Sequence, residues 1–158
     1  MNNVCILQIE DDNNDVFFMN RAFARAGIAN LVQVVTDGQM AMDYLAGSGP
    51  FADSTAHPLP DLVLLDLKLP KMSGLEVLEW IRGQAALRSM FVIVLTSSPD
   101  GRDARRAYAL GANSYVIKPP DLQKYAEFAR RLKEWWLECN QFVTAEESAG
   151  VRLNQPLI

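Results

Sequence analysis

The chain has little of what would tie it to disulfides, membranes or nucleic acid. Its 158 residues include only two cysteines, Cys5 and Cys139. One falls in an expected core strand and the other in an expected late helix, which argues against the disulfide framework of small secreted domains. No apolar run approaches the roughly 20 residues that a membrane helix needs. The chain does not open on a basic region and an apolar core, because Met1-Asn2-Asn3 leads straight into a short strand and then acids. The net charge of -4 leaves no basic excess for a nucleic-acid-binding face. Internal repeats and low-complexity tracts are missing too. These absences point to a cytoplasmic protein with no nucleic-acid and no membrane partner. What remains is an ordinary globular composition, 49% hydrophobic and 22% charged. A chain of this length buries roughly 70% of its unfolded surface in one domain.

Four apolar runs each stop on a residue able to do phosphate or metal chemistry. Val4-Cys5-Ile6-Leu7-Gln8-Ile9 stops at Glu10-Asp11-Asp12, and Leu62-Val63-Leu64-Leu65 stops at Asp66. Phe91-Val92-Ile93-Val94-Leu95 stops at Thr96-Ser97, and Tyr115-Val116-Ile117 stops at Lys118. Segments of helical period alternate with these runs, the pattern of an α/β fold with a parallel sheet between helices. The C-terminal ends of parallel strands share one edge, where such folds place ligands. Acids, a hydroxyl and a lysine are thereby expected in one crevice.

The helices have readable boundaries. The first is expected from Asn14 to Ala26, closed by Gly27. Leu31 to Val35 reads as a second strand, and Asp37 as the N-cap of the next helix. Residues 47–60 are rich in turn formers and read as a long surface loop. Ser73-Gly74-Leu75-Glu76 fits a capping box, with Val77, Leu78, Ile81 and Ala85 on the buried face behind it. Ser98-Pro99-Asp100 reads as another helix start, with serine as the cap. The last helix is expected from Leu122 to Cys139. The result is five strand–helix units in one domain, residues 1–140, with a tail of residues 141–158.

Asp66, at the end of a wholly apolar strand, is placed to act as a nucleophile. Carboxylates held close together repel, and a hard cation such as Mg²⁺ relieves that repulsion when it also holds water and phosphate oxygens. Glu10 and Asp11 are nearest the strand end and are the candidate ligands. Asp12 and Asp15 are expected to face solvent or to start the first helix. Lys118 can balance the charge of the carboxylates and of an incoming phosphate. Thr96 offers a hydroxyl to a phosphoryl oxygen.

The strings "ILQIEDD", "LVLLDLKLP-KMSG", "VIVLTSS" and "GANSYVIKPP" resemble the receiver domain of two-component response regulators, over roughly residues 4 to 138. The resemblance implies a flavodoxin-like (βα)5 fold with strand order 2-1-3-4-5. It also implies phosphorylation of Asp66 by a phosphohistidine donor, with Mg²⁺ held by Glu10, Asp11, Asp66 and the backbone carbonyl of Lys68. Thr96 and Tyr115 would be the switch residues, Lys118 the salt-bridging cation, and the Lys118–Pro119 bond cis. Lys68 and Ser98, each two residues past a site residue, would flank the hydrolytic water and tune the phosphoryl lifetime. The "GSGPFADSTAHPLPD" loop, "NSYVIKP" and the Trp-Trp pair resemble the single-domain regulators that pair with bacterial phytochrome histidine kinases, which would make such a kinase the partner. One departure is Gln8, polar where the family's central strand is usually aliphatic.

Such a protein phosphorylates and dephosphorylates only itself and is not a turnover enzyme. A haloacid-dehalogenase-type phosphohydrolase would want an acid two positions beyond Asp66, where Lys68 stands. A pseudo-receiver that binds partners without phosphorylation is the remaining alternative. In the last helix, Leu122, Tyr125, Ala126, Ala129, Leu132 and Trp136 form one apolar stripe, and Phe128, Trp135, Cys139 and Phe142 an adjacent second. Together they exceed what one-sided packing buries. Homodimerisation through this helix is expected, with Phe128, Leu132, Trp135, Cys139 and Phe142 at the interface.

Overall fold

In strands this short the alternation of side chains decides which residues meet which layer. The computed structural model describes residues 4–140, so Phe142 and the rest of the tail lie outside the described residues. In chain order the elements are β1 (Ile6–Ile9), α1 (Asn13–Ala26), β2 (Val32–Val35), α2 (Gly38–Ala46), β3 (Leu62–Leu65), α3 (Gly74–Gly83), β4 (Phe91–Thr96), α4 (Gly101–Ala109), β5 (Ser114–Ile117) and α5 (Leu122–Leu132). The strands form one parallel sheet in the order β2-β1-β3-β4-β5. This is the expected flavodoxin-like arrangement.

Two buried layers follow from the alternation. Leu7, Ile9, Val63, Leu65, Val92 and Val94 pack with Ala41, Leu45, Val77, Leu78, Ile81 and Ala107 of α2, α3 and α4. Ile6, Leu62, Leu64, Ile93 and Leu95 pack with Met19, Ala22 and Phe23 of α1 and Tyr125, Ala129 and Leu132 of α5. Fully burying a side chain of this kind stabilises the fold by about 1.5–3 kcal/mol. Gln8 lies within the fully buried β1, 3% exposed. Its Oε1 has no hydrogen-bond partner among the described residues.

The helix ends are fixed locally. Asp12 caps α1 by accepting from Asn14 N and Asp15 N, and Asp37 caps α2 by accepting from Met40 N at 2.7 Å. Ser73 and Glu76 form the reciprocal capping box of α3. Gly27 closes α1 with φ 67°, a left-handed conformation that favours glycine.

Four expectations need correction. Ser98 is not the cap of α4. Asp100 is, because its carboxylate accepts from Arg102 N at 2.8 Å while the Ser98 hydroxyl is engaged elsewhere. Ala85 lies beyond the end of α3 and is exposed, and Leu87 is buried instead. The last helix leaves α-helical geometry at Lys133, and Lys133–Leu137 forms a π turn. Glu138 N and Asn140 N donate five residues back, to Lys133 O and Trp135 O. The wider turn sets Trp136 edge-on against Phe91, with ring centres 5.4 Å apart, and leaves Trp135 outside. Finally, the Lys118–Pro119 bond is trans, the form an X–Pro bond favours by about 0.5–1 kcal/mol.

Residues 47–60 lie at the opposite edge of the sheet from the strand ends that carry the acids, since they lead into the start of β3. They are better anchored than a plain surface loop. The Tyr44 hydroxyl donates to Pro58 O at 2.8 Å, and the Phe51 ring lies 5.2 Å from both Tyr44 and His57.

Candidate functional site

The parallel register brings the reactive strand ends level. Ile9 pairs with Leu65, so Glu10 and Asp66 leave β1 and β3 side by side. Glu10 N donates to Val35 O and Asp66 N to Ile9 O, each at 3.0 Å, and Lys118 N to Thr96 O at 2.8 Å. The backbone is therefore hydrogen-bonded up to each functional residue. Glu10, Asp66 and Thr96 are buried, whereas Asp11 is exposed.

One lysine closes the cluster. Lys118 Nζ lies 2.7 Å from Glu10 Oε2, 2.8 Å from Asp15 Oδ2 and 2.9 Å from Asp66 Oδ2. Burial by itself would lower the lysine pKa, but the contacts with Asp15, Glu10 and Asp66 outweigh it and hold the ammonium above the usual lysine range. Burial also pushes the Glu10 carboxyl up to about 7, against the lowering pull of Lys118 and of the Asp12 N–H, with Asp66 adding to the rise. The second oxygen of Asp66 accepts from Lys68 N at 3.3 Å. One carboxylate oxygen from each of Glu10, Asp11 and Asp66 lies within 4.8 Å of the others. Three hard oxygen donors this close fit a hard divalent cation.

The β3–α3 connection folds back onto Asp66. Gly74 N donates to Leu67 O at 2.9 Å. A Cβ at Gly74 would lie 2.1 Å from Asp66 O, so only glycine fits there. Lys71, with φ 66°, pairs with Asp37 at 3.1 Å and ties the same loop to the start of α2.

Beyond β4, Ser98 joins four neighbours, its hydroxyl accepting from Asp100 N at 3.4 Å. Its N–H donates to Thr96 Oγ1 at 3.3 Å, its hydroxyl to Asp103 Oδ2 at 2.6 Å, and its carbonyl accepts from the Tyr115 hydroxyl at 2.8 Å. Thr96, Ser98 and Tyr115 thus form one connected group. The Lys68 side chain is exposed. In the π turn that follows α5, Trp135 is 65% exposed, and Phe128, Trp136 and Cys139 line a groove floored by Ile93, Val116 and Leu132. Leu132, expected at the interface, is 2% exposed and belongs mainly to the core.

The expected site residues Glu10, Asp66 and Lys118 meet directly, and Asp11 joins them within ligand distance. Asp12 caps α1 as expected. Asp15 neither faces solvent nor serves only the helix start, because one oxygen takes Lys118 and the other accepts from the Tyr125 hydroxyl at 3.0 Å. Asp15 and Tyr125 are the residues that the sequence reading missed. An acid three positions after a cap looks like a first-turn acid, and a tyrosine in a core stripe looks like packing. Asp103, which holds Ser98, was missed for the same reason.

The receiver-domain model, described as "Response regulator receiver domain", matches residues 6–130. The chain belongs to the response regulator receiver family. It is 40% identical over 136 residues to the probable methanogenesis regulatory protein FilR2 of Methanothrix harundinacea, covering 86% of this chain and 85% of that one. The phosphorylated cyanobacterial phytochrome response regulator RcpA superposes with a TM-score of 0.83 at 33% identity, covering 89% of this chain and 99% of RcpA. The Mn²⁺-bound form of response regulator Rcp1, a protein of Synechocystis, superposes with a TM-score of 0.79 at 31% identity, covering 88% and 98%. This receiver is therefore closely related to phytochrome-associated single-domain regulators. Receiver domains phosphorylate and dephosphorylate themselves and are not turnover enzymes. No described helix is long and apolar enough to cross a membrane.

Proposed function

We propose that residues 1–140 are a receiver domain that accepts a phosphoryl group on Asp66 from the phosphohistidine of a phytochrome-type histidine kinase, in the cytoplasm. The observation that carries this reading is the Asp66 carboxylate itself. It is 5% exposed, with one oxygen on Lys118 and the other on Lys68 N, at the edge of a three-carboxylate cluster. An Asp66 oxygen forms the new O–P bond while the P–N bond to the donor imidazole breaks. Lys118 takes up charge on a phosphoryl oxygen, and the Thr96 hydroxyl donates to another, so the work is mainly positioning and electrostatics. Mg²⁺ is the ion that fits Glu10, Asp11, Asp66 and the Lys68 carbonyl, and it would neutralise charge on the phosphoryl group. When Thr96 turns inward, its bond from Ser98 N is lost, and the Ser98–Tyr115 contact follows it. Lys68 stands by the approach of the hydrolytic water, so Lys68→Ala changes the phosphoryl lifetime.

The test is incubation with Mg²⁺ and a small phosphodonor, with Asp66→Asn as control. Label in the wild type and none in the variant supports the reading. No label in either favours a pseudo-receiver that works by binding alone.

The output surface is the last helix, α5 together with the π turn that continues it. The exposed Trp135 beside the groove of Phe128, Trp136 and Cys139 supports a homodimer through this helix. Sedimentation of Trp135→Glu beside the wild type tests it, and an unchanged dimer refutes it.

A further inference from the structure

A lysine ammonium has three N–H donors, and here three carboxylates from three separate elements surround it. Glu10 follows β1 and Asp66 follows β3. The third, Asp15, stands in the first turn of α1. It belongs neither to the acidic triad nor to the acceptor. Its position is fixed from two sides, since Asp15 N donates to Asp12 Oδ1 and Asp15 Oδ1 accepts from Tyr125. Tyr125 in turn is 2% exposed, and its ring packs 5.8 Å from Phe18 of α1. The atoms from Lys118 Nζ through the Asp15 carboxylate to the Tyr125 hydroxyl form an unbroken chain of 2.8 and 3.0 Å contacts. It starts beside the acceptor and ends inside α5, which continues into the π turn that carries Trp135.

We propose that Asp15 is a positioning residue that holds Lys118 on the phosphoryl site, and that its bond to Tyr125 passes the state of Lys118 to α5. The proposal rests on the reading of Asp66 as acceptor. Phosphorylation places new acceptor oxygens beyond the Asp66 carboxylate, and the ammonium must shift toward them. Asp15 is bound to that ammonium, so the shift moves Asp15 or breaks its contact. Either event alters what the Tyr125 hydroxyl donates to. An equilibrium responds only to a contact that differs between its two states, and this contact is one.

The experiment uses the full chain with Mg²⁺ and acetyl phosphate, following label on Asp66 and backbone amide NMR shifts of α5. Asp15→Asn keeps the shape of the side chain and removes its charge. Its maximal phosphorylation rate falls roughly tenfold, because misplacing a stabilising group by about 1 Å costs up to about 10²-fold, while the Mg²⁺ concentration for half-saturation stays where it was. Tyr125→Phe keeps the ring against Phe18. Normalised to the phosphorylated fraction, its α5 shifts fall to less than half of the wild-type change. A purely structural role for Asp15 would lower thermal stability and leave the maximal rate of the folded fraction alone. A wild-type rate in Asp15→Asn, or a full α5 response in Tyr125→Phe, overturns the proposal while the wild type still takes label. Absence of label in the wild type instead removes the acceptor reading on which it rests.

Discussion

Replacing Lys118 with methionine keeps an aliphatic stem and deletes the charge that three carboxylates share. Only 10% of the lysine side chain is exposed, and its partners Glu10 and Asp66 are 4% and 5% exposed. At an effective dielectric of about 20, one pair of unit charges about 2.8 Å apart attracts by about 6 kcal/mol. Desolvation of all four groups and repulsion among the carboxylates offset much of that sum. Breaking a buried pair by removing one partner costs about 3–5 kcal/mol, and that is the loss expected in metal-free buffer. A slope of about 2 kcal/mol per molar urea converts a 4 kcal/mol loss into a midpoint lower by about 2 M. Freed of the lysine, the acidic triad should hold Mg²⁺ more tightly than in the wild type. Tenfold tighter binding returns about 1.4 kcal/mol at saturation. Urea unfolding by circular dichroism, with EDTA and with excess Mg²⁺, reads both quantities. A metal-free loss below about 1 kcal/mol, or weaker Mg²⁺ binding in Lys118→Met, would refute the picture of one cation balancing three acids.

Other substitutions probe the frame around the site. Gly74→Ala places a methyl group 2.1 Å from Asp66 O, so it should cost roughly 1–3 kcal/mol and slow labelling of Asp66. A wild-type melting curve would show that the loop has room. Arg82 donates to Gly111 O at 2.7 Å and Met90 O at 2.9 Å, and to Asn113 Oδ1 at 3.1 Å. Arg82→Ala should lose about 2–3 kcal/mol in urea unfolding, with labelling per folded molecule unchanged. Burial, helped by Asp61, pushes the Cys5 thiol from 9.0 up to about 11. Iodoacetamide at pH 8 should therefore spare Cys5 until the chain is unfolded. Because the folded-state pKa is the higher one, the Cys5 contribution to stability is complete below pH 9.0 and is lost as pH rises through about 11. Modification of Cys5 in the native protein contradicts this.

The sheet was legible because four of its five strands are largely apolar runs that stop on a residue able to do phosphate or metal chemistry. The residues at those ends, Glu10, Asp66, Thr96 and Lys118, could be gathered by topology alone. Asp15 and Tyr125 could not, since they are 110 residues apart and meet only through the packing of α1 on α5. Ser98 shows a different limit. Its place before a proline and an acid suits a cap, yet its hydroxyl is taken by Asp103, and the cap passes to Asp100. The π turn at Lys133 is invisible to a 3.6-residue period by construction, because inserting one residue per turn shifts the stripe that the period is meant to detect.

The anchored loop at the far edge of the sheet makes the molecule two-ended in a practical sense. Ser54, Thr55 and Ala56 are exposed, while Tyr44 and Phe51 hold the segments on either side of them. Every group assigned to phosphoryl chemistry sits at the other edge. Sequence carried at residues 54–56 is therefore mechanically isolated from the switch. A fluorophore or fused peptide placed there would report on where this protein is without changing what it does.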